Sequence, residues 1–415
     1  MRGWRAVSVG VAWAVWAVPA TSAERPTPPD LPPTELARLW IDQDAAVVEA
    51  RRSLDAATHG AAALRASPYE WTGRATAQRR RYDSGGNSNE WSAALERTIR
   101  IGGKSEIDRQ LGDAELAIAQ ATIGEARRDS ARALMELWLS VLAATRQHEL
   151  LTEQLGFAQA NHKAVETRRR AGDASQLDVN VARADLLEMQ RQVIAARTSE
   201  TKAKARLAAR FPTAVYEPRP LAEPAELEMA QAEWRERILS RSDSIRIARA
   251  LFGKAELTAA RAKADRIPDP TVGVYTASEA FRNERIVGLS FSIPLSGTYR
   301  SERMQQALRE AEAARARVER QLRNKEIETA EAYVEAIGAR ERWRLALQGI
   351  LTTRESARLT QRAYALGEAD LQTLLLARRQ ALDAANAAES ARVEALRWQY
   401  QLLVDAHLIW GLGGD

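Results

Sequence analysis

The chain has 415 residues, 45% hydrophobic and 28% charged, which excludes a disordered tail and a helical membrane protein. Its net charge is +5 with basic and acidic residues interleaved, so it lacks the one-sided patch that nucleic-acid binding requires. There is no cysteine, which removes disulfides, thiol catalysis and thiolate metal sites.

The first element is a leader. Arg2 and Arg5 precede the apolar run Ala6–Val18, and Pro19-Ala20-Thr21-Ser22-Ala23 supplies a small-residue cleavage site. A signal peptide over residues 1–23 is expected, and the apolar run is shorter than the roughly 20 residues a spanning helix needs. The mature protein is then exported, and any membrane insertion must use strands.

A helix over about Pro33–Ala66 comes next, then strands near Tyr69–Tyr82 and Glu90–Gly102, joined by a Gly85-Gly86-Asn87 turn. In the second strand Trp91, Ala93, Leu95, Ile99 and Ile101 share one face, while Ser92, Ala94, Glu96, Thr98 and Arg100 share the other. Arg97 falls on the apolar face, against the pattern. A very long helix follows over about Ser105–Arg170, then a tip at Gly172 and a shorter helix over about Ser175–Ala209. The long helix would reach about 100 Å at 1.5 Å per residue, and the shorter one about 50–55 Å. Residues 211–225, with Pro212, Pro218, Pro220 and Pro224, read as a linker.

The same order then recurs. A helix over about Glu226–Arg266 leads to strands near Pro270–Ser278 and Ile286–Leu295. A long helix over about Ser301–Ala365, a tip at Gly367 and a helix over about Leu371–Ala406 complete it. Val287, Leu289, Phe291, Ile293 and Leu295 alternate with Gly288, Ser290 and Ser292. Gly172-Asp173-Ala174 corresponds to Gly367-Glu368-Ala369 at an offset of 195, and Ala182-Arg183 to Ala377-Arg378 at the same shift. The chain therefore reads as two repeats, 24–210 and 226–415, each too long for a solenoid unit.

Stripes at threes and fours, such as Val179, Ala182, Leu186, Met189, Val193 and Ala196, indicate coiled-coil packing with close helix approach at the alanines. A periplasmic coiled-coil scaffold or adaptor would show them too. The strands decide against it, because period-two alternation with a small or polar second face is the transmembrane barrel pattern. Four strands leave open edges, which lipid does not tolerate, so several copies must combine.

In order and duplication these parts resemble the TolC-type outer-membrane efflux family, with Ser290-Phe291-Ser292-Ile293-Pro294-Leu295 before a helix and Gly172 and Gly367 heading Ala-Arg segments. Ile99–Lys104, containing Gly102-Gly103-Lys104, looks most like the branch paired with cobalt–zinc–cadmium resistance pumps. The resemblance implies a mainly α fold with a small transmembrane β section. As a homotrimer it would form a 12-stranded barrel continuous with a long periplasmic helical barrel. It further implies a passive outer-membrane exit duct working with a periplasmic adaptor and an inner-membrane transporter, for heavy-metal cations or drugs. The duct of a type I protein secretion system is the alternative.

Gly172 and Gly367 would dock the adaptor. Asp178 matches one acidic entrance position of the family, but its second-half equivalent is Thr373 and the next ring position is Leu376, so a double carboxylate ring is not supported; Asp173, Glu368 and Asp370 would line the mouth instead.

No cofactor, metal site or enzymatic constellation is expected, since His59, His148, His162 and His407 lack ligand spacing. Trp71 and Trp91 suit a membrane-interface belt. Arg79-Arg80-Arg81 ends a strand near the outer loop, where it would touch anionic lipopolysaccharide or simply be solvated.

Overall fold

A computed structural model describes residues 26–83, 85–295 and 297–412; the expected leader, residues 1–23, lies outside them. In chain order the elements are α1 (Thr34–Gln43), α2 (Ala45–Ala66), β1 (Thr72–Arg81), β2 (Asn87–Thr98), α3 (Lys104–Ala171) and α4 (Gln176–Arg210). After an irregular stretch come α5 (Gln231–Arg241), α6 (Asp243–Ala264), β3 (Thr271–Glu279), β4 (Glu284–Ser292), α7 (Thr298–Leu366) and α8 (Leu371–Asp405).

The two long helices set the dimensions. α3 has 68 residues and α7 has 69, so each is about 100 Å long. Neither contains a proline, and each stops at a glycine in the left-handed region, Gly172 (φ 90°) and Gly367 (φ 80°). There the chain turns back on orphan carbonyls: the Asp173 N–H donates to Arg168 O at 2.8 Å and the Glu368 N–H to Ala363 O at 2.9 Å. α4 and α8, 35 residues each, return only halfway.

The other half of each long helix is covered by the shorter pairs. α2 packs on the sheet-proximal part of α3, where Gly112 lies against Ala61 and Arg65 bonds Asp113 at 2.8 Å. α4 covers the distal part of α3, and its end meets the start of α2 through Arg210 and Asp44 at 3.0 Å. α8 and α6 divide α7 in the same way. The result is a two-layered rod in which shorter helices stack end to end along each long one.

The single first helix expected in each half is instead two helices. The first breaks at Asp44, which is buried; its carboxylate accepts from the Ser130 hydroxyl at 2.7 Å, from Arg210 and from the Ala46 N–H. Burial alone would raise the Asp44 pKa, yet the Ser130 and Arg210 hydrogen bonds outweigh it and hold it below the usual range. The second breaks at Ser242, and Asp243 packs so closely on α3 that a Cβ at Gly124 would fall 2.3 Å from its carboxylate. Only glycine admits that approach.

The largest core lies halfway along the rod, where Trp138, Leu134 and Met135 of α3 meet Tyr400 and Leu402 of α8 and Leu408, Ile409 and Trp410 beyond it. Each such side chain contributes about 1.5–3 kcal/mol on burial. The fully buried Asp30 stitches the N-terminal segment into this core, accepting from Tyr400 Oη at 2.7 Å and from the Ala222 N–H at 3.1 Å.

Candidate functional site

At one end of the rod the described strands form a four-stranded antiparallel sheet in the order β1-β2-β3-β4. The register assigns every side chain to a face. On one face lie rows such as Gly73, Leu95, Val274, Leu289 and Ala75, Ala93, Thr276, Val287. On the other lie Thr72, Glu96, Gly273, Ser290 and Thr76, Ser92, Ala277, Ile286. None of the described residues covers the apolar face: Val287 and Leu289 are each 84% exposed and Phe291 69%. The alternation expected for β2 and β4 is present, and the isolated monomer leaves its apolar side uncovered.

Two details adjust that expectation. β2 ends at Thr98 rather than Gly102, because Arg100 turns inward to bond Leu64 O at 2.9 Å and Asp108 at 2.8 Å. Arg97 does sit on the apolar face, near the end closest to the helices, with its guanidinium 5.5 Å from the Trp71 ring centroid. A charge stacked on a tryptophan there suits a membrane interface. Trp91 lies towards the opposite end, so the two tryptophans bracket the apolar rows.

The polar face is close-packed at its glycines. A Cβ on Gly288 would come within 2.6 Å of the Tyr275 ring, so that ring lies flat across the neighbouring strand. At the far end Glu90, 4% exposed, accepts from Gln78 at 2.9 Å and pairs with Arg80 at 3.2 Å, and Arg80 also reaches Glu279 at 3.6 Å.

Where sheet meets helices, Lys104 is wholly buried and its Nζ donates to Asp269 and to Ile267 O, both at 2.7 Å. Asp269 also accepts from Tyr69 and from the Ile101 N–H. Burial pushes the Asp269 pKa up, but the bonds from Lys104 and Ile101 hold it below the ordinary value. Gly102 and Gly103, both at positive φ, make the turn that aims Lys104 inward. The Gly-Gly-Lys run thus has a structural role here: it anchors the sheet to the rod.

The opposite end of the rod carries the tip residues. Asp178 is the third residue of a capping box with Ser175, its carboxylate accepting from the Ser175 N–H at 2.9 Å. Asp370 caps α8, accepting from the Thr373 N–H at 2.7 Å. These backbone bonds hold both carboxyls below the usual range. The Ser175-x-x-Asp178 spacing signals such a cap in the sequence, a structural role for Asp178 besides its expected place at the entrance. Asp173 and Glu368 are exposed beside their glycines. The two tips are held together by Val165, Ala182 and Leu371, with Val179, Tyr364 and Leu375 against them.

Among the described residues no helix is long and apolar enough to cross a membrane, and no three His, Cys, Asp or Glu side chains converge on a metal-sized site. His148 instead bonds Glu200 at 2.7 Å. Asp269 and Glu90 were not singled out in the sequence, and Lys104 only as part of the Gly-Gly-Lys run, since their partners are joined only by the fold.

Residues 36–210 match the family model described as outer membrane efflux protein. Comparison with curated protein sequences gives no match. Among solved structures, the outer-membrane channel OprN superposes with a TM-score of 0.78 at 20% identity, covering 91% of this chain and 90% of that one. CusC, whose structures concern folding and transmembrane channel formation, gives 0.77 at 14% identity over 92% of each chain. The outer membrane protein VceC from Vibrio cholerae gives 0.75 at 17% identity, over 90% of this chain and 95% of that one. At these identities the likeness is one of fold. Residues 36–210 are thus similar to the outer membrane efflux protein model, and about nine-tenths of the chain shares the fold of these solved channel structures.

Proposed function

We propose that the protein is the outer-membrane channel subunit of a tripartite efflux pump, a passive exit duct from periplasm to exterior. The observation that carries this reading is the sheet: one face apolar and uncovered, the other polar, and β1 and β4 unpaired at its edges among the described residues. Unpaired N–H and C=O groups cannot face lipid, so copies must pair β4 to β1 until the sheet closes. A homotrimer closes it with twelve strands, the polar face lining a water-filled lumen. The rods continue that lumen as a helical barrel into the periplasm, which holds most of the chain.

In this reading the division into a leader (1–23), two repeats (24–210 and 226–415) and a linker (211–225) follows the pseudo-symmetry of the barrel. Gly172 and Gly367 are the docking points of a periplasmic adaptor, itself coupled to an inner-membrane transporter. Asp173, Asp178, Glu368 and Asp370 ring the entrance. The two capping acids stay ionised while they cap, so structure and gating use the same charge. The gate opens when the adaptor binds the open form better than the closed one. The cargo is heavy-metal cations, as the likeness of Ile99–Lys104 to the cobalt–zinc–cadmium branch implies, or drugs.

The test is reconstitution. Purified protein should migrate as a heat-resistant trimer, fractionate with the outer membrane and conduct ions in a planar bilayer. A water-soluble monomer without β signal would end this reading. Loss of the gene should sensitise cells to metal salts if metals are the cargo, and to organic drugs alone if they are not.

A further inference from the structure

Three consecutive arginines end β1, and the sheet separates them. Arg80 points to the polar face, where Glu90 and Glu279 neutralise it. Arg79 and Arg81 fall on the apolar face, in register with Asn89 and Asn87 of β2. Arg285 of β4 is on that same face, in the row of Ala77, Trp91 and Ser278. All three are exposed, and none has a side-chain hydrogen bond or ion pair among the described residues. The acids at this end do not answer them: Glu90, Glu279 and Glu284 belong to the polar face, and Asp83 lies in the β1–β2 turn.

We propose that Arg79, Arg81 and Arg285 form an outward-facing belt that binds the phosphate groups of a glycolipid headgroup in the outer leaflet. This rests on the outer-membrane barrel reading above. The belt begins at the Trp91 row, where the apolar rows of Val287, Leu289 and Phe291 end, so it stands at headgroup height. Arg285, Arg79 and Arg81 occupy three successive rows, spanning about 13 Å along the strands at 3.3 Å per residue. Phosphates at one level would engage one row; a headgroup with phosphates at more than one height engages all three. Guanidinium groups bind phosphate bidentately, and the amides of Asn87 and Asn89 stand between them for sugar hydroxyls. Because β4 of one copy pairs with β1 of the next, Arg285 faces the neighbour's arginine strand, and closure makes the belt continuous.

The experiment titrates the full-length detergent-purified oligomer with bisphosphorylated lipid A and reads binding by thermal shift. Parallel arms use lipid A stripped of its phosphates, phosphatidylglycerol and inorganic phosphate. Bisphosphorylated lipid A should stabilise the oligomer more than the other three at equal concentration. Affinity should fall about fivefold for each arginine lost in R285Q and in R79Q/R81Q, with R80Q as a variant on the other face that leaves it intact. Equal binding of phosphate-free lipid A, full competition by inorganic phosphate, or unchanged affinity in both variants would overturn the belt. If a variant does not form the heat-resistant oligomer, the wild-type comparison of the phosphorylated and stripped lipids decides. Failure of the wild type itself to oligomerise in membranes would sink the duct reading, whereas failure of lipid discrimination alone would sink only the belt.

Discussion

The guanidinium of Arg168, one turn before the end of α3, lies 5.2 Å from the centroid of the Tyr364 ring near the end of α7. This contact ties the two helical tips together, on top of the apolar cluster around Val165, Ala182 and Leu371. Arg168 also sits close enough to lower the pKa of Asp178. One cation therefore serves an aromatic ring on one hairpin and an acid on the other.

Such a contact is worth about 0.5–1 kcal/mol when exposed. Arg168→Ala and Tyr364→Ala should leave the melting temperature nearly unchanged but loosen the tips. In planar bilayers both variants should show more frequent open events than the parent. Identical gating in parent and variants would remove the pair from the entrance mechanism.

Lys104 and Asp269 make the opposite case, where stability dominates. Truncating Lys104 to Ala leaves the carboxylate of Asp269 buried without its cation, at a cost of about 3–5 kcal/mol. Yield of assembled oligomer and its thermal midpoint should both drop sharply. Lys104→Met combined with Asp269→Asn removes both charges and should recover part of the loss, which a chemical melt of the three forms would measure.

His407, in the segment after α8, gives a pH signature. Burial, reinforced by Arg241, holds its pKa down to about 4 from the ordinary 6.5, against the pull of Asp405. A folded-state value below the unfolded one means the neutral imidazole is the native form. Its contribution is complete above about pH 6.5 and is lost as pH falls through about 4, amounting to at most about 3 kcal/mol. Replacing His407 by Asn, which tolerates the left-handed backbone there (φ 52°), should flatten the fall in melting temperature between pH 6.5 and 4. Parallel acid profiles for parent and variant would refute this.

Gly288 tests the polar face of the sheet. Valine at this position collides with the Tyr275 ring, so the ring must swing into the lumen. Single-channel conductance should fall while oligomer assembly persists, and Gly288→Val paired with Tyr275→Ala should restore conductance. A lone valine variant with parental conductance would place Tyr275 outside the lumen.

How much of this was legible depended on how local each cause was. Alternation in β2 and β4 could be read because each face meets one environment, so Leu95 and Leu289 needed no distant partner to declare themselves. Helix lengths were readable from Gly172 and Gly367, which stop α3 and α7 by backbone conformation alone. The breaks at Asp44 and Ser242 were not readable, since Ser130, Arg210 and Gly124 come from remote parts of the chain. The anchoring role of Lys104 was not readable, because its partner Asp269 is 165 residues away. At the tips, capping occupies two of the acids nominated for the entrance, and the Ser175–Asp178 spacing had announced it.

The unpaired edges of the sheet carry a genetic consequence. A subunit whose β4 cannot zip to its neighbour does not merely withdraw itself; it leaves one seam of the ring open and idles the sound copies bound to it. Co-expression of an edge-disrupted allele with the intact gene should therefore be dominant negative, in proportion to the chance that a ring contains even one faulty member.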